Sequence, residues 1–190
     1  MSDRLVYVIG PSGAGKDSVL QGLRQVWPAA APAHWARRTI TRPAESGGEE
    51  HEALADSNFE EQLKANAFAM HWKANGLSYG VRHSELQPLD FGHWVFVNGS
   101  RSWLPELLAI WPEATVVHIG AAPEVLARRL SARGRETAAS VAARLARQVP
   151  LALPGGTIRI DNNGPLEVAV NALQQALRDR SAEAMLNDGL

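Results

Sequence analysis

The run Gly10-Pro11-Ser12-Gly13-Ala14-Gly15-Lys16-Asp17 constrains this chain more than any other stretch. It follows the apolar segment Leu5-Val6-Tyr7-Val8-Ile9 and precedes a helical pattern of Val19, Leu20, Leu23, Val26 and Trp27. A buried strand, a glycine-rich turn and a helix N-terminus in that order form a phosphate-binding loop. The glycines let backbone amides converge on a phosphate, and the helix end adds partial positive charge. Lys16 extends this cradle as a point charge for the β- and γ-phosphates. The competing reading, an ordinary glycine-rich connection, does not account for the lysine at this spacing. Gly10 through Ser18 is therefore expected to bind a nucleoside triphosphate, with Lys16 catalytic.

Position 17 departs from the usual pattern. Ser or Thr commonly follows the lysine and ligates Mg²⁺ through its hydroxyl, whereas this chain has Asp17 followed by Ser18. A carboxylate is a hard-oxygen ligand suited to Mg²⁺. It equally favours the first turn of a helix through the macrodipole. Both readings of Asp17 stand.

Composition sets the outer limits. A chain of 190 residues with 45% apolar content can bury one good core and a small inserted lobe. Its net charge of −1 gives no sign of a nucleic-acid partner. The absence of cysteine excludes disulfides and thiolate metal sites and fits a reducing, cytoplasmic setting. Met1-Ser2-Asp3-Arg4 leads straight into a strand, so no signal peptide is expected. No apolar run reaches the length of a membrane span. The six histidines show no close His-x-x-x-His pair, which argues against zinc. Oligomeric state stays open, a homodimer included.

Further along, Arg37, Arg38 and Arg42 fall within six residues, ahead of the glycine-containing loop 44–50. They fit either an anion site or a solvated edge strand. Ser57-Asn58-Phe59-Glu60 has capping-box spacing and predicts a short helix through Lys64. Phe68 to Trp72 and Ser78 to Val81 read as strands about the hairpin signal Asn75-Gly76. The region 34–92 is expected to form a lobe beside the main sheet. His93 to Val97 reads as a buried strand ending at Asn98-Gly99-Ser100-Arg101. Asn98 stands where many phosphate-loop enzymes carry a metal-binding Asp, which suggests that the metal carboxylate has moved to Asp17.

A helix over 102–111, a strand over Thr115 to Ile119 and a helix opened by Pro123 follow. Arg128, Arg129, Arg133, Arg135, Arg144 and Arg147 flank a potential break at Gly134. These arginines suit a lid over phosphates, about 128–148, or else a solvated face. A strand from Thr157 to Ile160, the turn Asp161-Asn162-Asn163-Gly164 and a helix from Pro165 complete the pattern, with a loose tail from about Arg180. Strands alternating with helices predict an α/β fold with a central parallel sheet between helical layers, in a single domain over 1–180.

In this order the chain resembles the guanylate-kinase-like branch of phosphate-loop kinases over nearly its whole length. The matching features are the Gly10 to Lys16 loop, Thr41-Arg42-Pro43 followed by Gly48-Glu49, and Trp72 with Tyr79-Gly80. Arg129-Leu130, Arg133-Gly134, Arg144-Leu145 and Asp161-Asn162 extend the likeness. The resemblance implies a middle lobe that binds the phosphate acceptor through Arg42 and Tyr79. It also implies a helical lid whose Arg133 and Arg144 close on the donor, and an Asn162 turn near adenine.

The departures point away from GMP. The family's second clamp arginine is replaced at Ala44-Glu45, its guanine-reading Glu by His71, and its acidic strand end by Asn98-Gly99-Ser100-Arg101. A lost acceptor carboxylate leaves the purine donors unpaired, an expensive mismatch.

Within that branch the finer likeness is to sugar-phosphate kinases of bacterial phosphonate degradation. It rests on Arg38-Thr39-Ile40-Thr41-Arg42-Pro43, Gly47-Gly48-Glu49-Glu50-His51-Glu52, His71-Trp72-Lys73-Ala74-Asn75-Gly76 and Val97-Asn98-Gly99-Ser100-Arg101. This likeness implies ATP- and Mg²⁺-dependent conversion of ribose 1,5-bisphosphate to 5-phosphoribosyl 1-diphosphate. Arg37, Arg38, Arg42, Lys73 and Arg101 are then the acceptor cations, with His71, Asn75 and Glu50 near ribose hydroxyls. A nucleoside monophosphate kinase and a non-catalytic binding module are the alternatives. The intact loop and arginines disfavour the latter.

Overall fold

The computed structural model of the chain describes residues 2–44, 49–132 and 152–187. They fall into two compact units, one of Met1–Val8 and Pro28–Thr115, the other of Ile9–Trp27 and Val116–Leu190. The five-stranded sheet has the order β2-β7-β1-β8-β9, formed by Ala33–Trp35 (β2), Trp94–Asn98 (β7), Leu5–Ile9 (β1), Thr115–Gly120 (β8) and Ile158–Asp161 (β9). The pairs β2–β7, β1–β7 and β8–β9 are all parallel.

In the first unit, Leu5 to Val8 show no exposure, and Val95, Phe96 and Val97 beside them are buried. A strand covered on both faces selects such a continuous apolar run over an alternating one. Each large side chain so buried contributes about 1.5–3 kcal/mol. Trp35 stacks on Phe96 at 4.1 Å between ring centroids.

A second sheet, of order β4-β3-β6-β5, belongs to the same unit. It consists of Glu52–Ala53 (β4), Arg38–Ile40 (β3), Leu77–Arg82 (β6) and Phe68–Ala74 (β5). The hairpin β5–β6 turns through Asn75 and Gly76, whose φ angles of 53° and 75° match the expected two-residue turn. The expected lobe boundary at 34 falls inside β2, which pairs with β7 in the larger sheet. The helix α2 spans Asp56–Lys64 with Ala55 at its N-cap and no side-chain cap. Ser57 therefore lies within the first turn and the capping box does not form; Asp56 supplies the first-turn acid instead. The helix expected from 102 starts as a 3₁₀ turn at Arg101–Trp103 and continues as α3, Leu104–Ile110.

In the second unit the loop after Ile9 feeds α1, Lys16–Val26, whose Val19, Leu20 and Leu23 are buried. The C-terminal helix Leu166–Asn187 buries Ala169, Val170, Leu173 and Leu177. Its Gln174 donates to the carbonyl of Val26 at the end of α1. The helix α4 spans Pro123–Ala132, opened by the proline as expected. Arg180 to Asn187, anticipated as a loose tail, continues the C-terminal helix; Ala, Glu, Met and Leu there are strong helix formers. Among the described residues, no helix is long and apolar enough to cross a membrane.

Candidate active site

The second unit carries the phosphate loop. Gly15 caps α1 with φ 86° and ψ 26°, and no side chain makes a capping hydrogen bond there. The first-turn amides of Lys16, Asp17 and Ser18 are thus the helix-terminal donors that an anion would meet. Behind the loop, Asn162 donates from Nδ2 to the Ala14 carbonyl at 2.8 Å, and Arg129 Nη1 reaches the same oxygen at 3.5 Å. A Cβ on Gly15 would lie 2.5 Å from Asn162 Nδ2, so only glycine admits this latch. Asn162 follows β9, and its own backbone N–H is held by the carbonyl of Gly120 at 2.8 Å.

A cavity of about 330 Å³ opens here, lined by Gly13, Gly15, Ser18, Arg129, Asn162 and Leu166 among others. Asn162 is 3% exposed, and its Oδ1 is buried without a hydrogen-bond partner. An unmet buried acceptor costs free energy until a ligand donor meets it. Lys16 Nζ donates to the carbonyls of Gly10 and Pro11 at 3.0 and 3.3 Å, so the ammonium lies over the loop's own backbone. Gly13 and Ala14 are buried, Ser12 and Asp17 half-buried and Ser18 exposed. Arg133 and Arg144 lie outside the described residues. Arg129, half-buried on α4, lines this cavity; in the sequence it has a place in the arginine run and in the Arg129-Leu130 likeness but no specific role.

The first unit carries the proposed acceptor residues. Arg38 is 8% exposed and committed on every side. Its Nε donates to Glu49 Oε2 at 2.9 Å, its Nη2 pairs with Glu49 Oε1, and its Nη1 donates to the Asn98 carbonyl at 3.1 Å. The guanidinium also lies 5.2 Å from the centroid of the Tyr79 ring. Tyr79 in turn stacks on Trp72, with centroids 5.6 Å apart and planes at 4°. Arg42 follows Thr41, which is fixed to β6 by its N–H to the Ser78 carbonyl and by Ser78 N–H to its Oγ1. Arg42 Nη2 lies 3.2 Å from His51 Nδ1, and its Nε is buried without a partner.

Strand parity separates the rest. His71 pairs with Gly80 and Trp72 with Tyr79 across β5–β6. Alternation therefore puts His71 and Lys73, both exposed, on the face opposite Trp72 and Tyr79. His71 does not join the Arg38–Tyr79 cluster. Arg37 and Glu50 are exposed, and Asn75 lies in the hairpin turn.

Arg101 begins the 3₁₀ turn after β7, half-buried, behind a Ser100 cap whose Oγ accepts from the Ser102 N–H. Tyr7 secures that turn. Its hydroxyl accepts from the Ser100 N–H at 2.9 Å and donates to the Ser100 carbonyl at 3.2 Å. Burial pushes the phenol far above its ordinary range, so it stays a donor. Sequence alone gives no signal for this role, because Tyr7 sits inside an apolar strand. Glu52 binds Arg82 at 2.7 Å and accepts from Thr39 Oγ1 at 2.8 Å. The hydrogen bond from Arg82 holds its carboxyl below the usual range.

A parallel sheet with a glycine loop latched onto a helix end defines a phosphate-loop kinase. The guanylate kinase family pattern matches residues 2–180, and the chain belongs to that family. Ribose 1,5-bisphosphate phosphokinase PhnN of Pseudomonas paraeruginosa is 44% identical over 175 residues, covering 91% of this chain and 94% of that protein. Its namesake in Burkholderia pseudomallei is 46% identical over 176 residues, covering 90% and 94% respectively. The crystal structure of guanylate kinase from Anaplasma phagocytophilum shares the fold at a TM-score of 0.62 and 16% identity, over 93% of this chain and 85% of that one.

Proposed function

We propose that this protein transfers the γ-phosphoryl group of ATP to the 1-phosphate of ribose 1,5-bisphosphate, giving 5-phosphoribosyl 1-diphosphate and ADP. The observation that carries this reading is the identity, above 40% over nine-tenths of the chain, with relatives of that named activity. An oxygen of the acceptor phosphate forms the new bond to the γ-phosphorus, and the β–γ bridging oxygen leaves with ADP. No general base is needed, since a phosphate monoester is already anionic near neutral pH. The protein's work is positioning and charge neutralisation.

The loop amides and Lys16 take the ATP phosphates, while Asn162 and Arg129 line the donor cavity. The fit to ATP rests on the αL turn at Gly15 and on the orphaned Asn162 Oδ1, both within a single unit. Mg²⁺ is held by one or two carboxylates plus substrate phosphates, with no all-protein cage. That accords with finding no three-residue metal cluster among the described residues; Asp17 is the carboxylate offered. When bound, Mg²⁺ supplies charge neutralisation at the phosphates. Arg42, Tyr79 and Arg101 receive the acceptor and Arg38 positions Tyr79 and the β7 end, while the family likeness assigns charge neutralisation at the donor to Arg133 and Arg144.

Replacing Asp17 with Asn should raise the Mg²⁺ concentration for half-maximal turnover several-fold, because a hard cation loses a charged ligand. An unchanged Mg²⁺ titration would reduce Asp17 to a helix-terminus residue. The function itself is tested by an acceptor panel of ribose 1,5-bisphosphate, ribose 5-phosphate, AMP and GMP with ATP and Mg²⁺, read by ³¹P NMR. Ribose 1,5-bisphosphate should give a diphosphate at C1, with GMP a poor acceptor. Efficient turnover of GMP and none of the sugar bisphosphate would make this a nucleotide kinase.

A further inference from the structure

The segment Glu49 to Glu52 faces three arginines of the acceptor unit in turn. Glu49 forms a two-point ion pair with Arg38, and Glu52 one with Arg82. Between them His51 meets Arg42 with an imidazole in place of a carboxylate. His51 Nε2 lies 3.0 Å from the Arg42 carbonyl, and Nδ1 lies 3.2 Å from Arg42 Nη2 and 3.0 Å from the Glu49 carbonyl. A hydrogen on Nε2 lets the ring donate to the Arg42 carbonyl and accept from the guanidinium, whereas a hydrogen on Nδ1 serves the Glu49 carbonyl instead. A carboxylate in this place would hold Arg42 equally well but cancel its charge. Among the described residues, no ion pair engages Arg42, and its buried Nε has no partner.

We propose that His51 is a positioning residue: it holds Arg42 through Nη2 of the guanidinium and through the backbone carbonyl, without neutralising the charge. Nε and the full positive charge are thereby reserved for a phosphate oxygen of the acceptor. The inference rests on the reading of this unit as the acceptor site. His51 touches no reacting atom, so its removal acts on acceptor affinity and not on the transfer step. A charge-assisted contact that loses its alignment costs about tenfold in affinity.

The test is steady-state kinetics at saturating ATP on the full chain, comparing His51→Phe, His51→Gln, Arg42→Ala and the double variant His51→Phe/Arg42→Ala. Phe keeps the bulk of the ring and removes both nitrogens. It should raise the KM for ribose 1,5-bisphosphate about tenfold, with kcat within about twofold and the KM for ATP unchanged. Gln retains a donor and an acceptor and should recover most of that loss. The double variant should be no worse than Arg42→Ala, because a residue acting through Arg42 has nothing left to position. Losses that multiply in the double variant, or a wild-type acceptor KM in His51→Phe while Arg42→Ala raises it, would overturn the role of His51. A wild-type acceptor KM in Arg42→Ala itself would instead remove the acceptor reading beneath it.

Discussion

Lys16→Ala is expected to leave the protein folded and to lower turnover by about 10²–10³-fold. Folding is spared because Lys16 is half-exposed at the first position of α1 and alanine is the best helix former there. Its two hydrogen bonds go to the Gly10 and Pro11 carbonyls, which belong to the loop itself. Losing them relaxes a local contact and opens no cavity in the core. Turnover is a different matter. The ammonium is a point charge beside phosphates whose negative charge redistributes in the transition state, and no other loop side chain carries positive charge. Stopped-time assays of ADP formation, with a thermal midpoint on the same sample, check both halves. Near-normal turnover would end the phosphate-loop assignment. A collapsed midpoint would mean that the lysine contacts carry stability as well.

The proposed phosphate loop could be read from sequence because its chemistry is contiguous. Gly10 to Ser18 lies between a strand and a helix that the apolar pattern already announces, and the structure places the loop at that junction. The proposed acceptor cluster of the first unit pairs residues far apart in the chain. Arg38 meets the carbonyl of Asn98, sixty positions on, and the carboxylate of Glu49. A cluster of arginines beside a cluster of glutamates has the same composition whether the charges are paired or free. Only register decides, and here it pairs Arg38 and Arg82 but leaves Arg42 with a histidine.

His71 shows a different limit. The alternation Met70 buried, His71 exposed, Trp72 buried, Lys73 exposed is legible as period two. The family likeness offers His71 as an acceptor-site residue, and parity places it on the face opposite Tyr79. Helix ends were misjudged for a third reason. Ser57-x-x-Glu60 is a capping box only if the helix begins at 58, and Asp56 starts it two residues sooner. Spacing alone cannot fix which of two adjacent polar residues lies outside the first turn. The arginines Arg133 and Arg144 lie outside the described residues, and their assignment to a lid is still carried by the family likeness.

Gly10→Ala should be the most damaging single substitution of the loop, acting on stability before chemistry. The residue has φ 153°, which an L side chain rarely adopts. A Cβ there would overlap the backbone carbonyl oxygen of Ile119 and lie 3.1 Å from its carbonyl carbon. Ile119 is itself buried within β8 and anchored by its register with Ile160, so this obstacle is main chain and cannot swing aside as a side chain would. Backbone strain of about 1–3 kcal/mol and overpacking of similar size together approach the 5–15 kcal/mol that typically holds a domain folded. The expected result is a protein with a urea midpoint sharply below wild type, or one recovered largely unfolded. Gly155→Ala is the matched control, since nothing lies within 4 Å of its added Cβ and its φ is outside the left-handed region. It should stay within about 0.5 kcal/mol of wild type. A Gly10→Ala protein with an unshifted midpoint would mean that the loop does not leave β1 pressed against the Ile119 backbone. The convergence of amides inferred for the loop would then lose its starting point, because the path from Ile9 to Gly15 is set by how closely the chain passes that carbonyl.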